Sequence, residues 1–518
     1  MAFVSLYFII FFLVLLTAYY LFPRKYQWLL LLSGSLIFYV FSSPYYLVFL
    51  LFSAGTTYCC GVLMGDMEAA LQKELLMQKE VLTKEEKKAR KAAAQRNKKR
   101  VLAACIVANL LILVLLKYTN FFMENINYLL HACGLTVNIP QINWLLPLGI
   151  SFYTFITIGY CMDVYRGISE PQQNFFKHVL FVSYFPQITQ GPINRYGEMA
   201  EQLFAEHVFD WQRCKEGGYR ILVGLFKKLV IAERLAVYVD RVYAAPDSYG
   251  SMTLLFATVF YAIQLYCDFS GYMDIVLGVS EFFGIQMLEN FNHPYFSKTI
   301  SEYWRRWHIT LGAWFKDYLY YPVLRSDFCR RFYKKHGNKM SATILGLSAV
   351  WLMTGLWHGA SWHYVAHGIY HGVIIILSVV LAAFYKNLRE GLHIREESKV
   401  FHVFQMLRTF ILVDVSYIMF RSATMTDALY IMKQIFFHLN ISVSALKDAV
   451  LPFTEDNTAV AYFGVVAAAV LVLLTAEILD YNGKQTLKKH RYLNSAVMIV
   501  AILLFGVFGQ SGFLYAQY

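Results

Sequence analysis

"MSATILGLSAVWLMTGLWHGASWHYVAHGIYHGVIIILSVVLAAFY" occupies residues 340 to 385 and contains no Asp, Glu, Lys or Arg. A run of this length crosses a bilayer twice, at about 20 residues per crossing. Four histidines interrupt it: His358, His363, His367 and His371. Burying a polar ring without a partner costs on the order of 1 to 3 kcal/mol, so each imidazole needs a hydrogen bond, a metal or a water-lined cavity. The same run thus sets the solvent of the fold and poses the question of its chemistry.

Outward from this run the whole chain has the same character. Of its 518 residues 58% are hydrophobic and 15% charged, against about 25% charged in soluble proteins. The composition predicts an all-α, polytopic integral membrane protein. Apolar segments lie at Phe3–Leu21, Gln27–Phe41, Tyr45–Met64, Val101–Leu116, Leu145–Cys161, Ser251–Leu277, Ser341–Trp357, His367–Phe384, Phe401–Phe420, Val460–Ile478 and Ser495–Val507. They predict about ten to twelve membrane helices, the shorter ones re-entrant.

The formal net charge of +12 does not point to nucleic acid, because the Lys and Arg residues sit in short connections between apolar segments, as cytoplasmic loops do. The first apolar segment has no preceding basic residue and no small-residue cleavage site, so it reads as a retained helix. Eight scattered cysteines, with no C-x-x-C pair, read as core filler.

Residues 66 to 100, "DMEAALQKELLMQKEVLTKEEKKARKAAAQRNKKR", combine good helix formers with interleaved Glu and Lys and lack Gly and Pro. They predict a charged helical loop in the cytoplasm. Arg24 and Lys25, between the first two apolar segments, mark the same side, which places the N-terminus outside. The basic stretch Arg325 to Lys339 also faces inward by this rule. No solenoid repeat or Pro/Gly-rich linker interrupts the chain, so residues 1–518 read as one membrane domain with the 66–100 loop as its separable module.

His363, His367 and His371 fall at i, i+4 and i+8, on one helical face, whereas His358 stands apart just before Gly359. Three readings compete. The rings hydrogen-bond to neighbouring helices; or two of them ligate a metal, since H-x-x-x-H places imidazoles together; or one ring is an acid-base catalyst whose burial keeps it neutral. The metal reading lacks a nearby glutamate and adjacent His-His pairs. A second unusual stretch, "SEYWRRWHITLGAWFKDYLYYP" at residues 301 to 322, has the Trp, Tyr, Arg and Lys content of an interfacial helix.

Together "EYWRRWHITLGAWFKDYLYYP" and, 50 residues after its His308, "GLWHGASWHYVAHGIYHG" resemble the paired signature of the membrane-bound O-acyltransferase superfamily, and within it the alginate O-acetylation branch. Further matches are "PLGISFYTFITIGYCMDVYRG" (147–167), "YFPQITQGPINRY" (184–196), "QLYCDFSGYMDIVLGVSEFFGI" (264–285), "NFNHPYFSKTI" (290–300) and the ending "FGQSGFLYAQY".

The resemblance implies that His358 is the catalytic histidine and His308 the second active-site histidine, both facing a central tunnel. An acyl thioester, acetyl-CoA or an acyl carrier, enters from the cytoplasm with no bound cofactor, and a hydroxyl acceptor approaches from outside. Trp304, Arg305, Trp307, Trp357, Tyr272 and Asp268 are the expected tunnel residues. The tryptophans, with Trp362, would exclude water, and Arg305 and Arg306 would meet the donor's phosphates. No metal is implied, and His363 and His367 inherit no role.

The expected function is O-acylation of an extracellular or cell-wall polysaccharide from the bacterial cytoplasmic membrane, with an extracytoplasmic acyltransferase partner. The chain itself has no G-x-S-x-G elbow. D-alanyl transfer to teichoic acid is the nearest alternative. A transporter or flippase would show inverted repeats and paired broken helices, and a di-iron oxidoreductase would bind metal.

Overall fold

The computed structural model describes residues 1–142, 146–336, 339–454, 458–484 and 490–508. The aromatic ending beyond Phe508, matched above by resemblance, lies outside the described residues. Among these residues the fold is helical, with one isolated β-bridge, between Phe291 and Trp307. The chain divides into two compact units, one of residues 1–214 with 279–288 and one of residues 215–278 with 289–518.

The first unit contains α1 (Leu6–Leu21), α2 (Gln27–Ser42), α3 (Leu47–Met77), α4 (Lys84–Ala132), α5 (Ile150–Arg166), α6 (Phe175–Ser183) and α7 (Tyr196–Phe204). With 31 and 49 residues, α3 and α4 reach about 46 Å and about 74 Å at 1.5 Å per residue. Both outrun a hydrocarbon layer of about 30 Å. The charged residues 66–100 are the projecting ends of these two helices and the turn between them. α3 runs through Gly65, which stands between the apolar part and Asp66, without a break, and no Gly or Pro separates the two parts of α4. Thr83 starts α4 with a capping box to Glu86, and Lys98 bonds Glu68 across the pair at 2.7 Å.

The second unit holds most of α8 (Trp211–Leu225), a π-helical turn Phe226–Ala232, α9 (Glu233–Ala244), most of α10 (Ser251–Phe282), α11 (Ile300–Arg306), α12 (Ile309–Phe315), α13 (Lys339–His358), α14 (Trp362–Val380), α15 (Lys399–Arg421), α16 (Ala459–Tyr481) and α17 (Arg491–Phe505). Each of the eleven apolar segments falls largely on a helix. Seven helices, α3, α4, α10, α13, α14, α15 and α16, are long and apolar enough to cross a membrane by length and composition. Two more apolar helices, α1 and α17, are shorter.

The uncharged run quoted first becomes the antiparallel pair α13 and α14. Its glycines let the two backbones touch. A Cβ on Gly368 would lie 2.5 Å from the Trp351 carbonyl oxygen, and one on Gly355 would lie 2.8 Å from that of Tyr364. This is the small-residue packing that helices use in lipid, where van der Waals contact replaces the hydrophobic drive.

Candidate functional site

The site is assembled from a turn and a helix pair. Thr299 caps α11 by accepting from Glu302 N at 3.1 Å, and the Glu302 carboxylate accepts from Lys298 N at 2.9 Å. After this two-turn helix the chain must reverse into α12, and Trp307 and His308 form the corner. The corner is held by residues 290–292: Asn292 N donates to Arg306 O at 3.0 Å and Ile309 N to Asn290 O at 3.0 Å. The Asn290 side chain, fully buried, accepts from Thr310 N at 2.9 Å and from Thr310 Oγ1 at 2.7 Å.

This clamp imposes φ +47° on His308, a left-handed conformation that costs a side-chain-bearing residue about 1 to 2 kcal/mol. Such strain persists only where the surroundings over-determine it, and it clusters at functional sites. Burial pushes the His308 imidazole down to about 3, which keeps it neutral at physiological pH.

His358 ends α13 and is 4% exposed. The next residue, Gly359, lies under the Tyr364 ring so closely that a Cβ would fall 2.3 Å from it. Tyr364 therefore fits only because the residue after His358 has no side chain. Trp357 joins the two motifs: its ring centroid is 5.7 Å from that of His308 and 4.8 Å from that of His358. His308 also packs on Phe269 at 5.0 Å, and His358 on Phe420 at 5.1 Å and His367 at 5.7 Å. Two histidines 50 positions apart in sequence thus share one buried aromatic cluster.

The helical stripe has hydrogen-bond partners of its own. His367 Nδ1 meets the Ser416 carbonyl oxygen at 3.3 Å, and since a carbonyl only accepts, Nδ1 carries the proton. The Ser416 hydroxyl donates to Val413 O at 2.6 Å and so accepts from His371 Nε2 at 2.9 Å. One serine of α15 therefore fixes the tautomers of both rings. His363 instead bonds Ser361 at 3.0 Å through Nδ1. Among the described residues the histidines form no group of three convergent ligands; the one such group is made of cysteines.

The other expected tunnel residues are distributed unevenly. Trp304 packs on His371 at 5.0 Å and on Trp351 at 5.0 Å, and its buried Nε1 has no hydrogen-bond partner among the described residues. Trp307 is buried beside Phe291 and Tyr303. Arg305 is exposed, whereas Arg306 is engaged with Glu302 at 2.8 Å and with Asn292 O at 3.2 Å. Trp362 is 61% exposed.

Tyr272 is buried. Asp268 forms a buried ion pair with Lys228 at 2.6 Å, and Lys228 also meets Glu233 at 2.5 Å. Sequence reasoning missed Asn290 and Ser416, although "NFNHPYF" had been singled out as a stretch.

Residues 172–406 match the model of the membrane-bound O-acyltransferase family. A protein of Azotobacter vinelandii named probable alginate O-acetylase AlgI is 32% identical over 361 residues, 69% of this chain and 67% of that protein. The chain belongs to the membrane-bound O-acyltransferase family. The probable alginate O-acetylase AlgI of Pseudomonas syringae pv. tomato is 36% identical over 314 residues, 61% of this chain and 56% of the relative. The peptidoglycan O-acetyltransferase of Helicobacter pylori is 32% identical over 353 residues, 63% of this chain and 62% of the relative.

The chain thus aligns with 56 to 67% of these relatives' lengths. The family's teichoic acid D-alanyltransferases match over less of the chain, 46% for that of Bacillus subtilis at 30% identity. These relatives set the chain in the alginate O-acetylation branch of the family.

Proposed function

We propose that this protein is an O-acetyltransferase of the bacterial cytoplasmic membrane, taking an acyl group from a cytoplasmic thioester and delivering it for O-acylation of an extracellular or cell-wall polysaccharide. The observation that carries the reading is the buried contact of His308 and His358 through Trp357. In the reaction His358 takes the proton of the acceptor hydroxyl, whose oxygen attacks the thioester carbonyl. The tetrahedral intermediate then expels the thiolate, which leaves as a thiol with the proton from His358, and the ester remains.

His308 orients the reacting groups, and Trp304 Nε1 is suited to donate to the carbonyl oxygen as its charge develops. Trp307 and Trp357 keep out the water that would hydrolyse the donor. Arg305, which is exposed, is available to the phosphates of coenzyme A or of a carrier's phosphopantetheine arm. Tyr272 supports the tunnel wall, and the Asp268–Lys228 pair holds its part of α10 in register.

The chain acts as one membrane domain with the N-terminus outside and the α3–α4 projection in the cytoplasm, and it hands its product to an extracytoplasmic acyltransferase. D-alanyl transfer from a carrier is the second reading, favoured by the relatives so named. Labelled acetyl-CoA and labelled D-alanyl carrier, offered separately to reconstituted membranes, distinguish the two. With the accepted donor, His358→Ala abolishes transfer in a correctly inserted protein. His358→Gln does not rescue it, since an amide accepts no proton at neutral pH; the loss is about 10²- to 10⁴-fold. Near-normal turnover of His358→Gln removes the general-base assignment.

A further inference from the structure

Cys60, Cys105 and Cys161 come from α3, α4 and α5, and 45 and 56 residues separate them in sequence. All three are buried, at 2%, 8% and 0% exposure, and their sulfurs all lie within 4.8 Å of one another. Core filler does not require three thiols from three helices to converge. Cys105 Sγ and Cys161 Sγ are 3.9 Å apart. A metal–sulfur bond of about 2.3 Å sets ligand sulfurs about 4.0 Å apart in a trigonal site and about 3.8 Å apart in a tetrahedral one.

We propose that these three cysteines form a binding site for a soft divalent cation of the zinc class, which ties α3, α4 and α5 together. The site lies outside the histidine cluster and does not depend on the proposed acyl transfer.

The metal-free thiols are held by carbonyl acceptors, and one N–H donor stands ready for a thiolate. Cys105 and Cys161 direct their S–H groups at the carbonyl oxygens of Thr56 and Thr57, each at 3.7 Å, and Asn109 Nδ2 donates to Cys105 Sγ at 3.7 Å. An N–H donor to a ligand sulfur is the second-shell contact that orients and stabilises a thiolate. Asn109 is itself set by Ser53, whose hydroxyl donates to Asn109 Oδ1 at 2.6 Å. On binding, three thiols lose three protons, and one divalent ion with three thiolates leaves a single net negative charge. A monovalent copper ion would leave two, a greater cost in a low-dielectric interior.

Depth along the helices points the same way. Asp66 follows Cys60 by six residues, Arg100 precedes Cys105 by five and Arg166 follows Cys161 by five. At 1.5 Å per residue, each cysteine is about 7 to 9 Å along its helix from a charged position. The three helices therefore agree on a level near the aqueous boundary, where an ion can enter.

The test uses the full chain, purified in detergent under reducing conditions and stripped with a chelator. Cadmium is titrated and followed by its sulfur-to-metal charge-transfer absorbance, then displaced with zinc. One equivalent binds per chain and zinc displaces it. Alanine at Cys60, Cys105 or Cys161 weakens binding by more than about 100-fold, since even an outer-shell partner is worth about 10- to 100-fold. Alanine at the exposed Cys59 or Cys133 changes nothing.

A second measurement needs no variant. Zinc protects Cys60, Cys105 and Cys161 of the wild-type protein from alkylation, read by mass spectrometry, while Cys59 and Cys133 still react. Unchanged cadmium affinity in the three buried-cysteine variants overturns the site, as does absence of zinc protection at those residues. Displacement by copper(I) but not by zinc overturns the zinc assignment.

Discussion

Asn290→Ala is expected to slow catalysis without touching either histidine of the proposed site. The left-handed backbone at His308 costs about 1 to 2 kcal/mol. The two bonds from Thr310 to Asn290 Oδ1, at 2.9 and 2.7 Å, contribute about 0.5 to 1.5 kcal/mol each, enough together to hold the turn. Without them the buried Thr310 N–H and hydroxyl both lose an acceptor, at about 1 to 3 kcal/mol apiece. The corner then relaxes and the imidazole moves.

A displacement of about 1 Å at reacting groups costs on the order of 100-fold in rate. Asn290→Ala therefore lowers kcat by about 10- to 100-fold, with a smaller change in donor KM, and lowers unfolding free energy by about 2 to 6 kcal/mol. Thr310→Val keeps the N–H bond and loses only the hydroxyl, so its effect is smaller, and Thr310→Ser, which keeps both, is near wild type. Transfer of a labelled acyl group in proteoliposomes gives kcat and KM, and thermal unfolding in detergent gives stability. Wild-type kcat in a folded Asn290→Ala protein, or equal losses in Thr310→Ser and Asn290→Ala, refutes the clamp.

Ser416→Ala removes the acceptor of His371 Nε2 and destabilises by about 1 to 2 kcal/mol, yet leaves the His367 bond to the Ser416 carbonyl; a fall in unfolding temperature with measurable turnover is the expected result, and complete inactivation of the folded protein would give the stripe a direct part in catalysis. His293, another left-handed residue, is raised above its ordinary value chiefly by its hydrogen bond to Glu477, against the opposing effect of burial, with Asp480 adding to the rise. A raised histidine contributes stability that is full below its unfolded value of about 6.5 and is lost as pH rises through the folded one. His293→Asn, which tolerates the same backbone, therefore lowers the unfolding temperature more at about pH 6 than at about pH 9, and a pH-independent difference contradicts the pairing. Single-cysteine probes at Ala2 and Ala92 label from opposite faces of intact cells; equal labelling rejects the topology.

The membrane character, the helices and the two histidine motifs were legible in the chain because each depends on neighbours in sequence. A stretch without charge from 340 to 385 has few homes other than lipid, and charged helix formers next to an apolar segment are helical as the ends of α3 and α4, although residues 78–83 between them turn. The singular position of His358 before Gly359 and the regular stripe after it were equally local. What sequence could not show was which distant groups meet them. Asp268 was expected at the tunnel, and the fold gives it Lys228; Arg305 and Arg306 looked alike, and the fold exposes one and pairs the other.

The tautomers of His367 and His371 depend on Ser416 of α15, the pose of His308 on Asn290, and the three-cysteine cluster on helices that the sequence keeps far apart. Periodicity states which face of a helix is apolar, over one or two turns. The angle, depth and register at which that face meets another helix are set by the packing of the whole bundle, and hydrogen bonds and metal sites form only within a few tenths of an ångström of the right placement. The sequence therefore determined the solvent and singled out the candidate residues, and the tertiary structure decided their partners.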